Sequence, residues 1–465
     1  MSAVWSSGAI ALESWPQFRG PGGSAVSASS GSPVHFGPDT NVLWKTVLPT
    51  GTSSPCIWEN RIFITGFANG QLQTICLDRQ SGTIVWTRSA PPQKTEPAHP
   101  LATPAAPTPV TDGRRVYSYF GSFGLIAYDF NGVEQWEKAL PSPVVEFGTG
   151  SSPILAQDKL ILVCDQDLGS YLLALNPKNG AELWRVERPQ FRRSFASPFL
   201  WKHSGSEELV VPGSLMLKSY DPSDGHELWS YVGTSRVACS TPSASKNLLF
   251  NSCWNIGGDE GERISMPPFA EISAERDSNK DGKLTIDELP TGPIRERFTQ
   301  IDLDKDGFVT AAEWEGMRDM FAHAENAVIA IRPGGKGDIT KTHLAWKVTK
   351  SLPYVASSLY CNGRLFTMKN GGLISCYDAS SGKPFYQDER VGAPGEYYAS
   401  PIAAADKVYF GSQAGIVTVI DATASELKIL ARNDFQEPIM ATPAIVDGKL
   451  YLRTQSHLYS FQDRK

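Results

Sequence analysis

The chain of 465 residues is longer than most single compact domains, although repeat architectures often exceed that size. Hydrophobic residues make up 41% of it, enough for a sizeable core, and a net charge of −6 argues against a nucleic-acid-binding surface, which would be basic. No apolar run approaches the roughly 18 residues of a membrane-spanning helix, so no transmembrane segment is predicted.

The N-terminal segment comes first in chain order. Residues 1–12 contain no positively charged region, which predicts that they are not an intact secretory signal peptide. The stretch WPQFRGPGG, residues 15–23, carries no recognisable chemistry and is predicted to cover one face of the fold. The sequence NVLWKTVLP around Trp44 has the character of a single strand.

A repeat of about 44 residues runs through most of the remaining chain. Each unit contains an apolar residue that is followed by an Asp or Asn, a turn, a Gly and then an aromatic residue. In step with this motif, small residues precede a proline, as in SSP at Pro55 and TP at Pro109. The alternation within a unit predicts four short strands, as in a propeller blade. The tryptophans predicted to pack between blades are Trp86, Trp136, Trp184, Trp229 and Trp346.

Eight units can be counted, and the last one ends without a fourth strand. The strand around Trp44 is predicted to supply it, since closure by the two termini removes exposed sheet edges. We therefore predict an all-β, eight-bladed β-propeller of four-stranded antiparallel blades, with seven blades as the alternative. The seven cysteines show no CxxC spacing and are expected to be buried free thiols, although Cys361 and Cys376 are close enough in one blade to form a disulfide.

One interval of the repeat, between Pro242 and Ser358, is much longer than the others and contains two twelve-residue EF-hand loops. Such a loop needs oxygen donors at positions 1, 3 and 5, Gly at 6, a backbone carbonyl at 7 and a bidentate Glu at 12. Residues 266–324 are therefore predicted to be a small α-helical EF-hand pair inserted in blade 5, between residues 1–265 and residues 325–465. The predicted calcium ligands are Asp277, Asn279, Asp281, Lys283 (carbonyl), Thr285 and Glu288 in loop one, and Asp302, Asp304, Asp306, Phe308 (carbonyl), Thr310 and Glu313 in loop two.

The Asp–Gly–Trp repeats resemble the pyrroloquinoline quinone (PQQ) repeats of quinoprotein propellers. Together with WPQFRGPGG, IRPGGKGDITKTHLAW and ATPAIVDGKLYLRTQSHLYSF, they resemble the PQQ-like β-propeller repeat proteins of planctomycetes and related bacteria, which are outer-membrane assembly-factor-like. The resemblance covers nearly the whole chain, and EF-hand insertions occur in that group. It implies a quinoprotein-like propeller that is periplasmic or secreted.

The same resemblance extends to PQQ dehydrogenases. These enzymes hold PQQ in the axial funnel with a calcium ion, a catalytic Asp and usually a disulfide of adjacent cysteines. This chain has no adjacent cysteines and no local motif for that Asp, which disfavours quinone binding. The residues before each small-residue strand should line the funnel mouth, where Arg and Tyr would suit an anionic aromatic ligand such as PQQ. They are Glu146, Arg192, Arg193, Arg236, Tyr354, Glu396, Tyr397 and Tyr398. The predicted cofactor-binding residues are Arg193, Arg236, Tyr354 and Tyr397.

Three functional hypotheses follow. The preferred one is an exported, monomeric calcium-binding scaffold without catalytic residues, which presents a face to an unknown protein or glycan. The first alternative is a PQQ-dependent dehydrogenase of alcohols or sugars, and the second is a calcium-gated interaction protein with the insertion as sensor.

Overall fold

The computed structural model describes residues 13–91, 94–97 and 99–463. Residues 1–12, for which the sequence predicts no intact signal peptide, lie outside the described residues. Within the described part, the strands form eight sheets, each with four antiparallel blade strands. In seven of these sheets the strands follow one another along the chain from the axis outward. The eight-bladed propeller predicted from the repeat is thus confirmed, and the alternative of seven blades is wrong.

The blades have these strand bounds, from the innermost strand outward. Blade 1 consists of Cys56–Trp58, Arg61–Ala68, Gln71–Asp78 and Ile84–Ser89; blade 2 of Val110–Thr111, Arg115–Phe120, Gly124–Asp129 and Glu134–Ala139; blade 3 of Ile154–Ala156, Lys159–Cys164, Tyr171–Leu175 and Glu182–Glu187; and blade 4 of Phe199–His203, Ser206–Gly213, Met216–Tyr220 and Glu227–Val232. Blade 5 consists of Ser243–Ala244, Leu249–Cys253, Ala327–Ile331 and Leu344–Val348; blade 6 of Leu359–Cys361, Arg364–Lys369, Leu373–Asp378 and Pro384–Arg390; blade 7 of Ile402–Ala404, Lys407–Gly411, Ile416–Asp421 and Ile429–Asp434; and blade 8 of Ala444–Val446, Lys449–Arg453, His457–Phe461 and Val42–Val47.

The two termini close the propeller within blade 8. The N-terminal strand Val42–Val47 pairs antiparallel with the last strand, His457–Phe461, with Trp44 opposite Ser460. Short additional strands extend two blades: Val26–Ser27 lies parallel to Ile402–Ala404, and Gly337–Asp338 lies parallel to Glu227–Val232. Closure by both termini, predicted from the missing fourth strand, is confirmed.

The small residues at the start of each blade form an incomplete ring of seven hydrogen bonds around the axis, which runs from blade 1 to blade 8. The backbone amide of Ser54 donates to Oγ1 of Thr108 at 2.9 Å, and the amide of Thr108 donates to Oγ of Ser152 at 2.9 Å. The same bond joins each neighbour onward from blade to blade. The further members are Ser197, Thr241, Ser357, Ser400 and Thr442, all buried, with distances of 2.9 to 3.1 Å. The ring requires a hydroxyl as well as a small side chain at these positions.

The Gly and Trp of the repeat meet across neighbouring blades. The indole of Trp136 in blade 2 donates from Nε1 to the carbonyl of Pro177 in blade 3, at 2.9 Å. Gly180 in the same turn has a φ of +69°, and a Cβ there would lie 2.6 Å from the Trp136 ring. Trp86 makes the equivalent contact with Phe130 and Gly132 of blade 2. Gly and Trp therefore recur at a fixed spacing because the outer strand of each of these blades contacts the outer turn of the next blade.

The seven cysteines form no disulfide bonds in the described part of the chain. All seven lie in the described part of the chain and are free thiols, including Cys361 and Cys376. Burial raises the pKa of the Cys76 thiol to about 12 and that of Cys376 to about 11, so both are neutral at pH 7. Within the described ranges, none of the helices has the length and apolar content that crossing a membrane requires.

Two segments cover opposite ends of the axis. In an antiparallel blade, the link between the second and third strands lies at the end where the chain enters the innermost strand. We call this end the mouth, and the insertion between Cys253 and Ala327 stands beside it. At the other end Arg19 is fully buried and donates to the carbonyls of Thr241, Pro242 and Ser358 at 2.7 to 3.0 Å. The helical bounds are Pro21–Gly23, Ile286–Glu288 and Arg295–Arg297 for the 3-10 turns, and Phe269–Arg276, Phe298–Ile301 and Ala311–His323 for the α-helices.

Candidate calcium centre and axial cleft

The two twelve-residue loops lie side by side in the insertion. Leu284 and Val309, at position 8 of each loop, exchange backbone hydrogen bonds of 3.0 and 2.8 Å. Their side chains are buried with Ile301, Trp314 and Phe321 in a small core of the insertion's own. This pairing fixes the relative position of the loops, as an EF-hand pair requires.

Backbone geometry at the turn of each loop also agrees with an EF-hand. Gly282 and Gly307, at position 6, have φ values of +80° and +87°, where a side chain would be strained. The amide of Gly282 donates to Asp277 at 2.9 Å, and the amide of Gly307 donates to Asp302 at 3.1 Å. The turn therefore folds each loop around the carboxylate at its position 1.

The carboxylate cluster of loop two tests whether calcium fits. Oxygen atoms of Asp302, Asp304 and Asp306 lie within 4.8 Å of one another. The Oδ1 atom of Asp302 is buried and has no hydrogen-bond partner among the described residues. Burial also raises the pKa of the Asp302 carboxyl. A buried acceptor without a donor, beside two further carboxylates, is the donor set that a hard divalent cation such as Ca²⁺ prefers.

The glutamates at position 12 are held by their own loops. Glu313 accepts hydrogen bonds from the amides of Leu303 and Thr310, at 2.7 and 2.8 Å. In loop one, Glu288 accepts from the backbone and side chain of both Thr285 and Ser278, which lowers its pKa to about 2. The two threonines are helix caps as well as predicted ligands, and their hydroxyls donate to these glutamates.

Loop two begins directly after the segment that docks the insertion onto the mouth. Arg192 donates from Nη2 to the backbone carbonyl of Gln300, two residues before Asp302, and its Nη1 contacts the Sδ atom of Met320 at 3.5 Å. Arg236 donates to the side-chain Oε1 of Gln300 at 3.3 Å and lies over the ring of Phe321, 5.3 Å from its centroid. Asp302, the predicted first calcium ligand of loop two, is therefore tied to the propeller through Gln300.

A second set of contacts between the mouth and the insertion involves charged side chains. Glu146 accepts from the hydroxyl of Thr299 in the insertion at 3.1 Å and from Arg193 at 3.1 Å. Arg193 also binds the buried carboxylate of Asp167, with its Nε at 2.7 Å from Oδ1. Lys305 of loop two lies 3.8 Å from the same carboxylate. The mouth and loop two thus share one network of opposite charges.

Between the mouth and the insertion lies a cleft of about 490 Å³. The propeller contributes Arg236, Tyr354 and Tyr398, and the insertion contributes Arg297 and Gln300. Phe147, Phe195 and His99 form a further wall, where the rings of His99 and Phe147 stack with centroids 5.7 Å apart. The volume is in the range of pockets that hold small molecules. Burial, and next the charge of Arg297, lower the pKa of Arg236 to about 10, so Arg236 stays a cation.

Three of the four residues predicted to bind a cofactor lie around this cleft. Arg193, Arg236 and Tyr354 line it, but Arg193 is already neutralised by Asp167 and Glu146. Tyr397 is buried away from the cleft, and its hydroxyl donates to the carbonyl of Ala393 at 2.7 Å. Its neighbour Tyr398 lines the cleft instead.

Sequence reasoning missed the residues that the insertion and the long connections bring to the cleft. Arg297 and Gln300 stand in helical sequence more than a hundred residues from Arg193, and no motif marks them. Phe147 and Phe195 stand in the segments that lead to Pro153 and Pro198, so the small-residue repeat could have placed them at the mouth. Tyr398 was not missed, because the same repeat predicts it at the funnel mouth.

Comparisons with known proteins agree with this architecture. The family model described as outer membrane protein assembly factor BamB matches residues 71–244, and the EF-hand model matches residues 294–317, which include loop two. Loop one lies outside the matched range. No curated protein sequence matches the chain.

Solved structures share the fold at low sequence identity. BamB from Moraxella catarrhalis has 11% identity and a TM-score of 0.58, covering 91% of this chain and 99% of its own. Quinohemoprotein alcohol dehydrogenase from Comamonas testosteroni has 13% identity and a TM-score of 0.54, covering 99% and 82%. Quinohemoprotein alcohol dehydrogenase ADHIIG from Pseudomonas putida HK5 has 10% identity and a TM-score of 0.55, covering 97% and 81%. These similarities establish the fold alone.

Proposed function

Because the chain is a PQQ-like β-propeller that carries an EF-hand, we propose that it is an exported calcium-binding scaffold whose insertion is fixed to the propeller mouth by calcium. The observation that carries this proposal is the position of Gln300. It accepts hydrogen bonds from Arg192 and Arg236 of the propeller, and it stands two residues before Asp302, the first ligand of loop two. Calcium bound in loop two would therefore order the segment around Gln300, which docks onto the propeller mouth.

Charge supports a stabilising role for the ion. Loop two brings Asp302, Asp304 and Asp306 together, and three carboxylates at short range repel one another. A divalent cation turns this repulsion into attraction and closes the loop on Glu313. Loop one offers Asp277, Asp281 and Glu288 with the neutral Asn279, so we expect the two loops to differ in affinity.

The side chains at the mouth favour a binding function over a catalytic one. Arg193 is held between Asp167 and Glu146, and burial raises the pKa of the Cys239 thiol to about 12, which keeps this potential nucleophile neutral. We infer a monomer that presents a propeller face to a protein or glycan in the periplasm or outside the cell. BamB, whose name describes an outer membrane assembly factor, has the same fold and is consistent with such a role.

Isothermal titration of calcium-free protein tests the proposal. We expect saturable binding of two calcium ions, with one site lost in Glu313→Gln and the other lost in Glu288→Gln. Each substitution removes one charged oxygen of the bidentate ligand and keeps the side-chain shape. Absence of calcium binding by the wild type, or unchanged binding by both variants, would refute the proposal.

The PQQ-dependent dehydrogenase stays as a second candidate because of one observation. Arg236 and Arg297 face a cleft with aromatic walls, a combination that suits an aromatic tricarboxylate. Bound PQQ would supply the electron acceptor for oxidation of an alcohol or sugar. Titration with PQQ, followed by tryptophan fluorescence and dye reduction with an alcohol and sugar panel, tests this candidate. Saturable quenching with dye reduction would favour the dehydrogenase, and no binding would exclude it.

A further inference from the structure

A second pocket, which we call the side pocket, lies between blades 5 and 6 where the insertion joins the propeller. Its volume is about 620 Å³, which is in the range of pockets that hold small molecules. One wall comes from residues 254–263 and 325–326, which connect the insertion to blade 5, and the other comes from the link into blade 6 and from blade 6 itself. None of the described residues lines both this pocket and the axial cleft.

The side pocket is polar, and its charges cancel. Eleven of its fourteen lining residues have a charged or polar side chain. Lys347 forms an ion pair with Glu325, and the lining holds three further cations and three further carboxylates, which are Arg263, Lys350, Lys369, Asp259, Glu260 and Asp388. An apolar ligand would take water from these groups without replacing its hydrogen bonds, and a charged ligand would meet like charges as well as opposite ones. A neutral ligand with many hydrogen-bonding groups fits this lining best.

The carboxylate of Asp259 is held in place by neutral donors. It accepts hydrogen bonds from Nε1 of Trp254 at 2.9 Å and from Nδ2 of the buried Asn326 at 3.0 Å. A Cβ at Gly258 would lie 2.4 Å from Oδ1 of Asn326, so this arrangement needs glycine there. Because a carboxylate can accept about four hydrogen bonds, Asp259 keeps acceptor capacity for a ligand.

On the opposite wall, a strained contact positions Asp388. Ser351 and Asp388 have φ values of +61° and +55°, although neither is a glycine. Oγ of Ser351 donates to Oδ2 of Asp388 at 2.6 Å, and Nε2 of Gln387 donates to the same Oγ at 3.0 Å. Asp388 also lies at an irregularity in the pairing of the outer strand of blade 6. Backbone strain and bulges of this kind cluster at functional sites, where they direct a side chain towards a ligand.

Lys350 and Lys369 supply donors in the same lining. Both are exposed, and neither has an ion-pair partner among the described residues. A hydroxyl group both donates and accepts, so adjacent hydroxyls of a sugar can donate to a carboxylate and accept from an ammonium group at the same time. The indole of Trp254, which stands edge-on to Tyr354 with 5.4 Å between centroids, adds an apolar surface for the C–H face of a sugar ring.

We propose that the side pocket binds a neutral oligosaccharide. Its hydroxyls donate to Asp259 and Asp388 and accept from Lys350 and Lys369, and one of its rings lies against Trp254. This inference names the partner of the proposed scaffold and in that respect rests on the proposed function. The lining contains none of the predicted calcium ligands, so saccharide binding and calcium binding are separate measurements.

Calorimetry of the calcium-loaded protein with neutral trisaccharides tests the proposal. The probes are maltotriose, cellotriose, mannotriose, xylotriose and chitotriose, and trigalacturonate is the acidic comparison. We expect saturable binding of at least one neutral trisaccharide with a Kd of roughly 1 mM or tighter, and weaker binding of trigalacturonate. Asp388→Asn and Lys369→Met should each weaken binding by about tenfold or more, since each removes a charge-assisted hydrogen bond. Glu389→Gln is the matched control and should bind like the wild type, because Glu389 is an exposed neighbour of Asp388 that does not line the pocket.

Binding of none of the five neutral trisaccharides, or unchanged binding by Lys369→Met, would overturn the proposal. Lys369 is exposed, so this variant keeps the fold even if Asp388→Asn disturbs the contact with Ser351. Tighter binding of trigalacturonate than of every neutral probe would contradict the neutral ligand class. Loss of binding in Arg236→Gln, with Asp388→Asn unaffected, would place the saccharide in the axial cleft and refute the side pocket. A protein that binds calcium but no trisaccharide would leave the proposed calcium function intact, whereas one that binds a trisaccharide but no calcium would refute only that function.

Discussion

Arg236 of the propeller donates a hydrogen bond from Nη1 to Oε1 of Gln300 in the insertion, over 3.3 Å. These two residues join parts of the chain with different architectures, and Gln300 lies next to the helix end that leads into loop two. The insertion is thereby held at the mouth rather than projecting freely from blade 5. Its EF-hand loops and the cleft consequently belong to one structural unit.

Arg192 is predicted to be the main attachment of the insertion. Replacing it with Ala removes the bond to the Gln300 carbonyl and the contact with Met320, so docking should weaken by about 1.5 to 3 kcal/mol. We expect proteinase K to cleave residues 266–324 at least about tenfold faster in Arg192→Ala. Arg295→Ala, which removes a surface ion pair within the insertion, is the control and should be cleaved like the wild type. Equal cleavage of all three proteins would contradict the assigned attachment.

The axial ring predicts a role for hydroxyls. In Thr442→Val the amide of Ser400 loses its acceptor without a change in side-chain shape, which should cost about 1 to 3 kcal/mol because the amide stays buried. Thr442→Ser keeps the hydroxyl and should lose less than about 1 kcal/mol. Denaturant unfolding of the three proteins measures the difference. If Val and Ser variants were equally stable, the hydroxyl ring would not contribute.

The contact between Gly180 and Trp136 predicts that alanine lowers the stability more at Gly180 than at a glycine without such a contact. Gly180→Ala should destabilise through both its positive φ and the Cβ placed 2.6 Å from the ring, together about 2 to 4 kcal/mol. Gly70 has a similar φ of +73° with open space around it, so Gly70→Ala should cost only about 1 kcal/mol. Thermal unfolding of the pair separates backbone strain from the blade contact. Similar losses in both variants would show that the contact adds nothing.

Acid should weaken the turn at Asp421. Hydrogen bonds from the side chain and backbone of Thr423 lower the pKa of Asp421 to about 2, with Lys428 a further contributor at 3.1 Å. Because the usual pKa of Asp is about 3.9, the ionised group stabilises the fold fully above that pH and loses its effect as the pH falls through about 2. The Tm of Asp421→Ala should lie roughly 1 to 2 °C below the wild type at pH 7, with the gap closing near pH 2. Glu426→Ala, in the same exposed turn, is the control and should leave the Tm at pH 7 unchanged. A constant gap for Asp421→Ala would contradict the account.

The repeat made the blades predictable because its residues contact one another across a fixed distance. The Gly–Trp spacing and the small residues before Pro153 and Pro198 each reflect a contact that recurs from blade to blade. In the sequence these residues are recognisable only as small residues that recur before a proline. Their hydroxyl bonds, such as the one between Ser152 and Ser197, became evident only with the neighbouring strands in place.

The geometry of the EF-hand loops was predictable for a different reason, since the residues that shape each loop are local in sequence. Asp302 to Glu313 specify the loop within twelve residues. The cleft was not predictable in this way, because Arg297 reaches Arg236 only through the docking of the insertion. Tyr397 and Tyr398 show the limit most simply: their order in the sequence does not say which of them faces the axis.

Hydrogen exchange of the wild type and Glu313→Gln, each with calcium and with a chelator, tests the central claim that calcium fixes the insertion to the mouth. For the wild type we predict that calcium protects residues 294–313 and also residues 187–193 of the propeller, the segment that contains Arg192. The Glu313→Gln protein should lose protection in both segments. Protection of the loops alone, with residues 187–193 unchanged, would show that calcium binds without fixing the insertion and would contradict the account.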